Sequence, residues 1–153
     1  MADPFTKEEV LAFVPQQPPF RFIDGIDELD GEHIVAHYTF KDDESFYAGH
    51  FPGDPITPGV ILTEAMAQAG VVAFGLYLVS LEEGGRDEVE KLLTIFTDAN
   101  VEFTGMVKPG QRVTTTGTKE VWRRRKRRAA VEMKLDDGTV VASGTLSGMG
   151  VPR

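Results

Sequence analysis

Three features of the sequence predict an α+β fold in which a curved antiparallel sheet wraps around one long apolar helix. The first is a single long apolar segment, residues 58 to about 81, which interrupts a chain otherwise rich in short alternating stretches. The second is the strongly β character of everything after residue 91. The third is the number of strand candidates, five or six, each bounded by turn residues. A helix that is apolar on every face needs a partner on every side, and a sheet curled around it is the economical solution.

The elements follow in order. Thr6 before "KEEV" predicts a short capped helix with acids in its first turn, ending near "PQQPP", where Pro15, Pro18 and Pro19 cannot continue it. "FRFIDGID" and "HIVAHYTFK" read as two strands joined by the turn "LDGE". At residue 57 the long helix begins, with Thr57 as its expected cap and Pro58 in its first turn. At ~1.5 Å per residue it extends roughly 35 Å, long enough to cross a membrane. The surrounding strands would then lack a core, so a buried central helix is expected instead. After the acidic loop "LEEGGRDEVEK", the strand candidates are "LLTIFTDANVEFTG", "QRVTTTGTKEVWRRR", "RAAVEMKLDD" and "TVVASGTLSGMG". "KPGQ" and "DDGT" supply turns between them. No internal repeat or linker is visible, so residues 1–153 are expected to form a single domain.

Composition narrows the function. Hydrophobic residues make up 41% and charged residues 26%, an ordinary globular mix. The absence of cysteine excludes disulfides, thiolate metal sites and a cysteine nucleophile. The N-terminal residues lack the pattern of a secretory signal, and a cytoplasmic location is expected. A formal net charge of −8 opposes general attraction to nucleic acid. Residues 123–128, "RRRKRR", run against that average. In a strand they point alternately to two faces, and beside Trp122 they could form a nucleic-acid footprint, a charged edge, or a docking patch for an acidic protein. His33 and His37 stand four apart but in a strand pattern, where zinc chelation is awkward, and read as surface residues. No "GxSxG" elbow or phosphate-loop pattern occurs.

The chemistry concentrates in "HFPGDPITPGVILTE", residues 50–64. Glu64 interrupts an apolar helix, where an unpartnered carboxylate would be costly, and Gln68 four residues later lies on the same face to hold it. Gly59, at the start of the helix, leaves a backbone N–H open to close approach by a carbonyl oxygen. His50, on a turn stiffened by prolines, can take and return a proton near neutral pH. Base, oxyanion donor and buried acid together suit removal of water from a β-hydroxyacyl thioester, or its addition.

"GHFPGDPITPGVILTEAMAQAG" closely resembles the central motif of the FabA/FabZ family, the β-hydroxyacyl-acyl-carrier-protein dehydratases of hotdog fold. "LAFVPQQPPFRFID" and "ANVEFTGMVKPGQRV" resemble the flanking segments of the same family. The resemblance implies that His50 and Glu64 are the catalytic pair, that Gly59 binds the substrate carbonyl, and that Gln68 contacts the acid. Glutamate at residue 64 resembles the FabZ branch, since the isomerising FabA branch has aspartate. It also implies a homodimer, with further assembly to a hexamer common in the family, in which His50 of one subunit faces Glu64 of the other. The substrate is expected on the phosphopantetheine arm of acyl carrier protein, with no metal or other cofactor. Phe51 and Val60, with Val72 and Phe74, are candidates to line the acyl tunnel. Arg123, Arg125 and Arg127 are candidates to dock the acidic carrier. The chain departs from the usual FabZ pattern at Pro15-Gln16-Gln17, where "PHR" is usual, at Asp54 in place of Arg and at Thr57 in place of Met. Those departures suit a specialised polyketide or polyene chain as well as a fatty acid. A hotdog thioesterase and an inactive partner subunit are the competing readings.

Overall fold

The structure, a computed structural model, describes residues 3–123 and 125–153. Six strands form one antiparallel sheet in the order β1-β2-β4-β5-β6-β3. They are β1 (Gly25–Leu29), β2 (His33–Thr39), β3 (Leu92–Phe103), β4 (Arg112–Arg123), β5 (Lys126–Leu135) and β6 (Val140–Pro152). The chain folds this way because β5 and the first half of β4 alternate buried and more exposed residues, so each strand buries one face against a common partner.

That partner is the central helix, Gly59–Ser80. It comprises α2 (Gly59–Ala67), a π-helical segment (Gln68–Ala73) and α3 (Phe74–Ser80). The helix is long and apolar enough to cross a membrane, but 72% of its most apolar window is buried inside the protein. Its apolar surface is therefore used as core. Around α2, Phe22, Tyr38, Phe40, Met66, Val113, Met133 and Leu146 form one cluster. Around α3, a second cluster gathers Ile34, Phe74, Leu78 and Val79, with Val10 of helix α1 (Lys7–Phe13) and Val89. Phe74 belongs to that core and not to an acyl-binding wall.

Helix and sheet meet most closely where neither side has a side chain. A Cβ added to Gly117 would lie 3.0 Å from the Gly70 Cα, and one added to Gly70 would lie 2.8 Å from Val131 Cγ1. The paired glycines let the π-helical segment sit directly on β4 and β5.

Helix α1 has the expected cap: Thr6 Oγ1 accepts from Glu9 N–H and the Glu9 carboxylate accepts from Thr6 N–H. Two local expectations differ. Residues 20–24 are not strand, because the Gln68 side chain takes the backbone groups of Phe20 and Phe22 that a neighbouring strand would need. Thr57 does not cap the central helix. Its hydroxyl pairs with the buried Tyr47 hydroxyl at 2.6 Å, and its N–H donates to Val107 O, which ties the helix start to the core.

Candidate active site

His50 ends a short 3-10 turn (Ser45–Ala48) and begins the proline-rich loop. Its Nδ1 lies 2.8 Å from Ile56 O. A carbonyl oxygen only accepts, so Nδ1 carries the hydrogen and Nε2 presents a lone pair. Ile56 N–H returns a bond to His50 O at 2.9 Å, and Phe51 and Asp54 exchange backbone bonds within the same loop. The Phe51 ring stacks on the imidazole at 4.2 Å between centroids, leaving Phe51 itself 51% exposed. Ring orientation and tautomer are thus both determined by the loop backbone.

Gly59 is the first residue of α2. Ile61 and Leu62 N–H turn back to Pro58 O, and the N–H groups of Gly59 and Val60 precede any intrahelical partner. A Cβ at residue 59 would stand 3.1 Å from the Phe103 ring, so a side chain here would crowd the donor. Val60, the next residue, is 75% exposed.

Glu64 sits one and a half turns further along, half-buried. Gln68 Nε2 donates to its Oε2 at 2.8 Å and to Phe20 O at 2.9 Å, while Gln68 Oε1 accepts from Phe22 N–H at 2.7 Å. Gln68 is fully buried with both ends of its amide engaged, so the acid is held by a side chain that cannot swing away. Burial pushes the Glu64 carboxyl above the usual carboxylate range, against the opposing pull of the Gln68 hydrogen bond. A cavity of about 100 Å³ opens beside it, walled by Gln16, Ala67, Val71, Val72, Thr94 and Phe96. Val72, a candidate for the acyl tunnel, lies in the wall of this cavity. Gln16 was noted only as a departure from a family pattern. Its Oε1 is buried without a hydrogen-bond partner among the described residues, and it lies in the Glu64 cavity wall. The one sequence signal for it was that altered triplet.

His50 is not in that wall, and among the described residues no hydrogen bond joins it to Glu64. The edge strand β3 is exposed along nearly its whole length and carries Leu93, Ile95, Phe96 and Phe103 at the surface. Ile95 and Phe96 are adjacent, so strand alternation puts apolar side chains on both of its faces, ahead of a register shift between Phe96 and Asp98.

The basic run does not form one surface. Arg123 is exposed, and Arg125 pairs with Glu88 at 3.3 Å. Arg128 Nε donates to Ser147 Oγ. Arg127 must be withdrawn from the docking set: it is 5% exposed, on the inward face of β5, where alternation turns it toward the helix. Arg124 lies outside the described residues. Trp122 Nε1 donates to Glu82, and the ring packs under Arg127, so the aromatic neighbour of the run is engaged internally. His33 pairs with Glu28 and Asp30, and His37 with Asp27, each at the sheet surface.

Comparison with known proteins agrees with this geometry. The family model of the FabA-like domain matches residues 14–145. The chain is 34% identical over 142 residues to a protein of Herpetosiphon aurantiacus named 3-hydroxyacyl-[acyl-carrier-protein] dehydratase FabZ, covering 92% of this chain and 94% of that one. It is 38% identical over 109 residues to a protein of the same name from Xanthomonas oryzae pv. oryzae, covering 70% of this chain and 67% of that one. Among solved structures, the dehydratase heterocomplex ApeI:P of Xenorhabdus doucetiae superposes with a TM-score of 0.77 at 16% identity, over 97% of this chain and 93% of that one. A thioesterase of Haemophilus influenzae superposes at 0.68, also at 16% identity, over 99% and 94%. These distant structures establish the shared hotdog fold, and the sequence relatives establish the branch. The chain belongs to the FabA-like domain family and is a FabZ-like dehydratase.

Proposed function

We propose that this protein removes water from a (3R)-hydroxyacyl chain carried on acyl carrier protein, producing the trans-2-enoyl chain, with His50 and Glu64 as its catalytic pair. The observation that carries the assignment is Glu64: a carboxyl of raised pKa, locked by a buried amide, at the wall of a cavity it shares with Ala67, Val71, Val72 and Phe96. Such a group holds a proton at neutral pH more readily than an ordinary carboxylate and can give it to a leaving hydroxyl.

The steps balance as an elimination. His50 Nε2 takes the proton from the carbon next to the thioester carbonyl. The electron pair left behind delocalises onto the carbonyl oxygen, where the Gly59 N–H and the positive end of the helix stabilise it. As the pair returns to form the C2–C3 double bond, the C3–O bond breaks and Glu64 supplies the proton that makes the leaving group water. The Gln16 oxygen, buried without a partner in the wall of the same cavity, would be an acceptor for the hydroxyl before it leaves. No step calls for a cofactor other than the carrier's own phosphopantetheine arm.

The working unit in this reading is a homodimer in which each site takes His50 from one subunit and Glu64 from the other, a reading supported by the absence of His50 from the wall of the Glu64 cavity. The apolar edge of β3 and the exposed Phe51 and Val60 are the surfaces that such a partner would cover. Assembly of three dimers into a hexamer is compatible with this unit. Arg123 and Arg125 remain as cations for docking the acidic carrier, and a cytoplasmic location suits a carrier-borne substrate.

The test is mass spectrometry of acyl carrier protein loaded with a 3-hydroxyacyl chain. Wild type should remove one water, and His50→Ala should slow that loss by about 10²–10⁴-fold, the usual contribution of a positioned acid or base. Free acid released from the carrier would instead identify a thioesterase. Carrier unchanged by folded wild type, over several chain types, would identify a non-catalytic partner subunit.

A further inference from the structure

We propose that the acyl cavity ends at a buried guanidinium, that of Arg127, which selects acyl chains carrying an oxygen acceptor at their far end. The proposal deepens the dehydratase reading by naming the class of chain the same site prefers.

The cavity beside Glu64 has a deeper neighbour. The second space is walled by Pro15, Gly75, Leu76, Leu92 and Arg127, and shares Val72 and Thr94 with the first. From Glu64 to Gly75 is eleven residues of helix, or roughly 16 Å at ~1.5 Å per residue. The first space, at about 100 Å³, has room for a run of methylenes. The second, at about 10 Å³, has room for little more than one water-sized group. A chain entering past Glu64 therefore runs along Ala67, Val71, Val72 and Phe96 and meets a cation at the end.

The cation lacks a counter-ion. Arg127 Nη1 donates to Val71 O at 3.3 Å and to Thr94 Oγ1 at 3.2 Å, and the guanidinium stacks 4.8 Å from the Trp122 ring centre. Among the described residues no carboxylate lies within ion-pair distance, and Nε is buried with no hydrogen-bond partner. The nearest opposite influence is Glu82, whose carboxylate bonds to Trp122 instead. Burial, with Arg125 nearby, pulls the Arg127 pKa down to about 10, so the group is still charged at neutral pH. A buried, charged group normally has a charged or strongly polar partner, and here the missing partner would be supplied by the ligand.

The fold also reserves the space. A Cβ on Gly75 would fall 1.7 Å from Arg127 Nη1, and one on Gly150 would lie 3.2 Å from Nη2. Two glycines flank the guanidinium, one on the helix and one on β6. A cavity meant for a plain alkyl end would be better closed by a leucine or phenylalanine, which needs neither. A ketone, hydroxyl or carboxylate at the chain terminus would partner the guanidinium and replace the lost hydration of the charge.

The experiment compares 3-hydroxyacyl carrier substrates of matched length that end in a methyl, a ketone or a carboxylate, across a ladder of lengths. In parallel, calorimetry measures binding of the corresponding saturated acyl-pantetheine thioesters, which have no hydroxyl to lose. At the best length, the oxygen-terminated chains should be favoured over the methyl-terminated one by about tenfold or more in both readouts, as expected of one hydrogen bond to a charged donor. In Arg127→Met that ratio should fall to about one. Arg127→Lys, which keeps the charge but not the fork, should retain part of it. If Arg127→Met does not fold, Thr94→Val with Arg127→Lys reads the same ratio. A wild type that prefers methyl-ended chains in both readouts overturns the proposal, as does a preference that survives Arg127→Met. Selective binding without dehydration would overturn the dehydratase reading alone. Dehydration without selectivity would overturn only the role of Arg127.

Discussion

Glu64, the proposed catalytic acid, is a residue that costs stability. Its carboxyl is held above the ordinary carboxylate range by burial, so the folded protein keeps this proton to higher pH than the unfolded chain does. Between those two pKa values the native state binds more protons, and stability attributable to this group falls as pH rises through that window. Glu64→Gln keeps the shape and loses the charge. It should raise Tm relative to wild type above the window, and the gap should close as pH drops below it. The same substitution should abolish water elimination, since the amide has no proton to give. Thermal melts over a pH series, beside the mass assay, would show both; a Tm gap independent of pH would contradict the assignment. Gln68 carries the opposite balance. Gln68→Leu strands Phe22 N–H, Phe20 O and the Glu64 carboxyl together. It should cost about 1–3 kcal/mol for each buried group left unpaired, measured by denaturant unfolding.

At the scale of elements, the central helix is defined by its contacts more than by its propensity. Its middle is π-helical from Gln68 to Ala73, directly after the acid and directly over the sheet. Widened turns of this kind free carbonyls, and Val71 O is in fact taken by Arg127 from β5. The segment can approach β4 and β5 only because Gly70 faces Gly117. Gly70→Ala would place a methyl group 2.8 Å from Val131 Cγ1. Overpacking of that kind costs about 1–3 kcal/mol, a fall in Tm of roughly 2–4 °C per kcal/mol for a chain of this length. An unchanged Tm would mean that helix and sheet can separate locally without cost. Strand β5 makes the complementary point: Lys126 is exposed and Arg127 is buried, although the two are adjacent and of the same charge. Alternation in the strand, and not the chemistry of the side chain, assigned them to opposite environments.

For the whole molecule, the proposed sharing of His50 and Glu64 between two chains makes a direct prediction. A mixed dimer of His50→Ala and Glu64→Gln chains has one site with both residues changed and one with both intact. Co-expressed chains that assort at random should therefore recover about a quarter of wild-type activity, since half the dimers are mixed and each holds one good site. Each variant alone should be inactive. No recovery, with mixed dimers demonstrated by tagged pull-down, would place both residues of a site in one chain. Covering the exposed apolar side chains of β3 is the structural counterpart of that result. A charged substitution at Ile95 should lower both dimer content and activity together.

The α+β class, the long helix, the approximate strand positions and the residue types of the proposed catalytic pair were legible in the sequence alone. Each of those rests on local information: a run of apolar residues, turn chemistry, a cap at Thr6, and a histidine and an acid at characteristic positions around Gly59. Tertiary structure decided what local information does not contain. Whether residues 20–24 pair as a strand depended on Gln68, some 46 residues from Phe22 in the chain, reaching their backbone first. Whether Thr57 caps a helix depended on Tyr47 offering a buried hydroxyl. Whether Arg127 meets solvent depended on which face of β5 turns toward the helix, because a period of two makes adjacent residues face opposite ways and a basic run gives no hint of its register. The physical reason is common to all three: hydrogen-bond partners and burial are assigned by residues distant in sequence, and only packing brings them together.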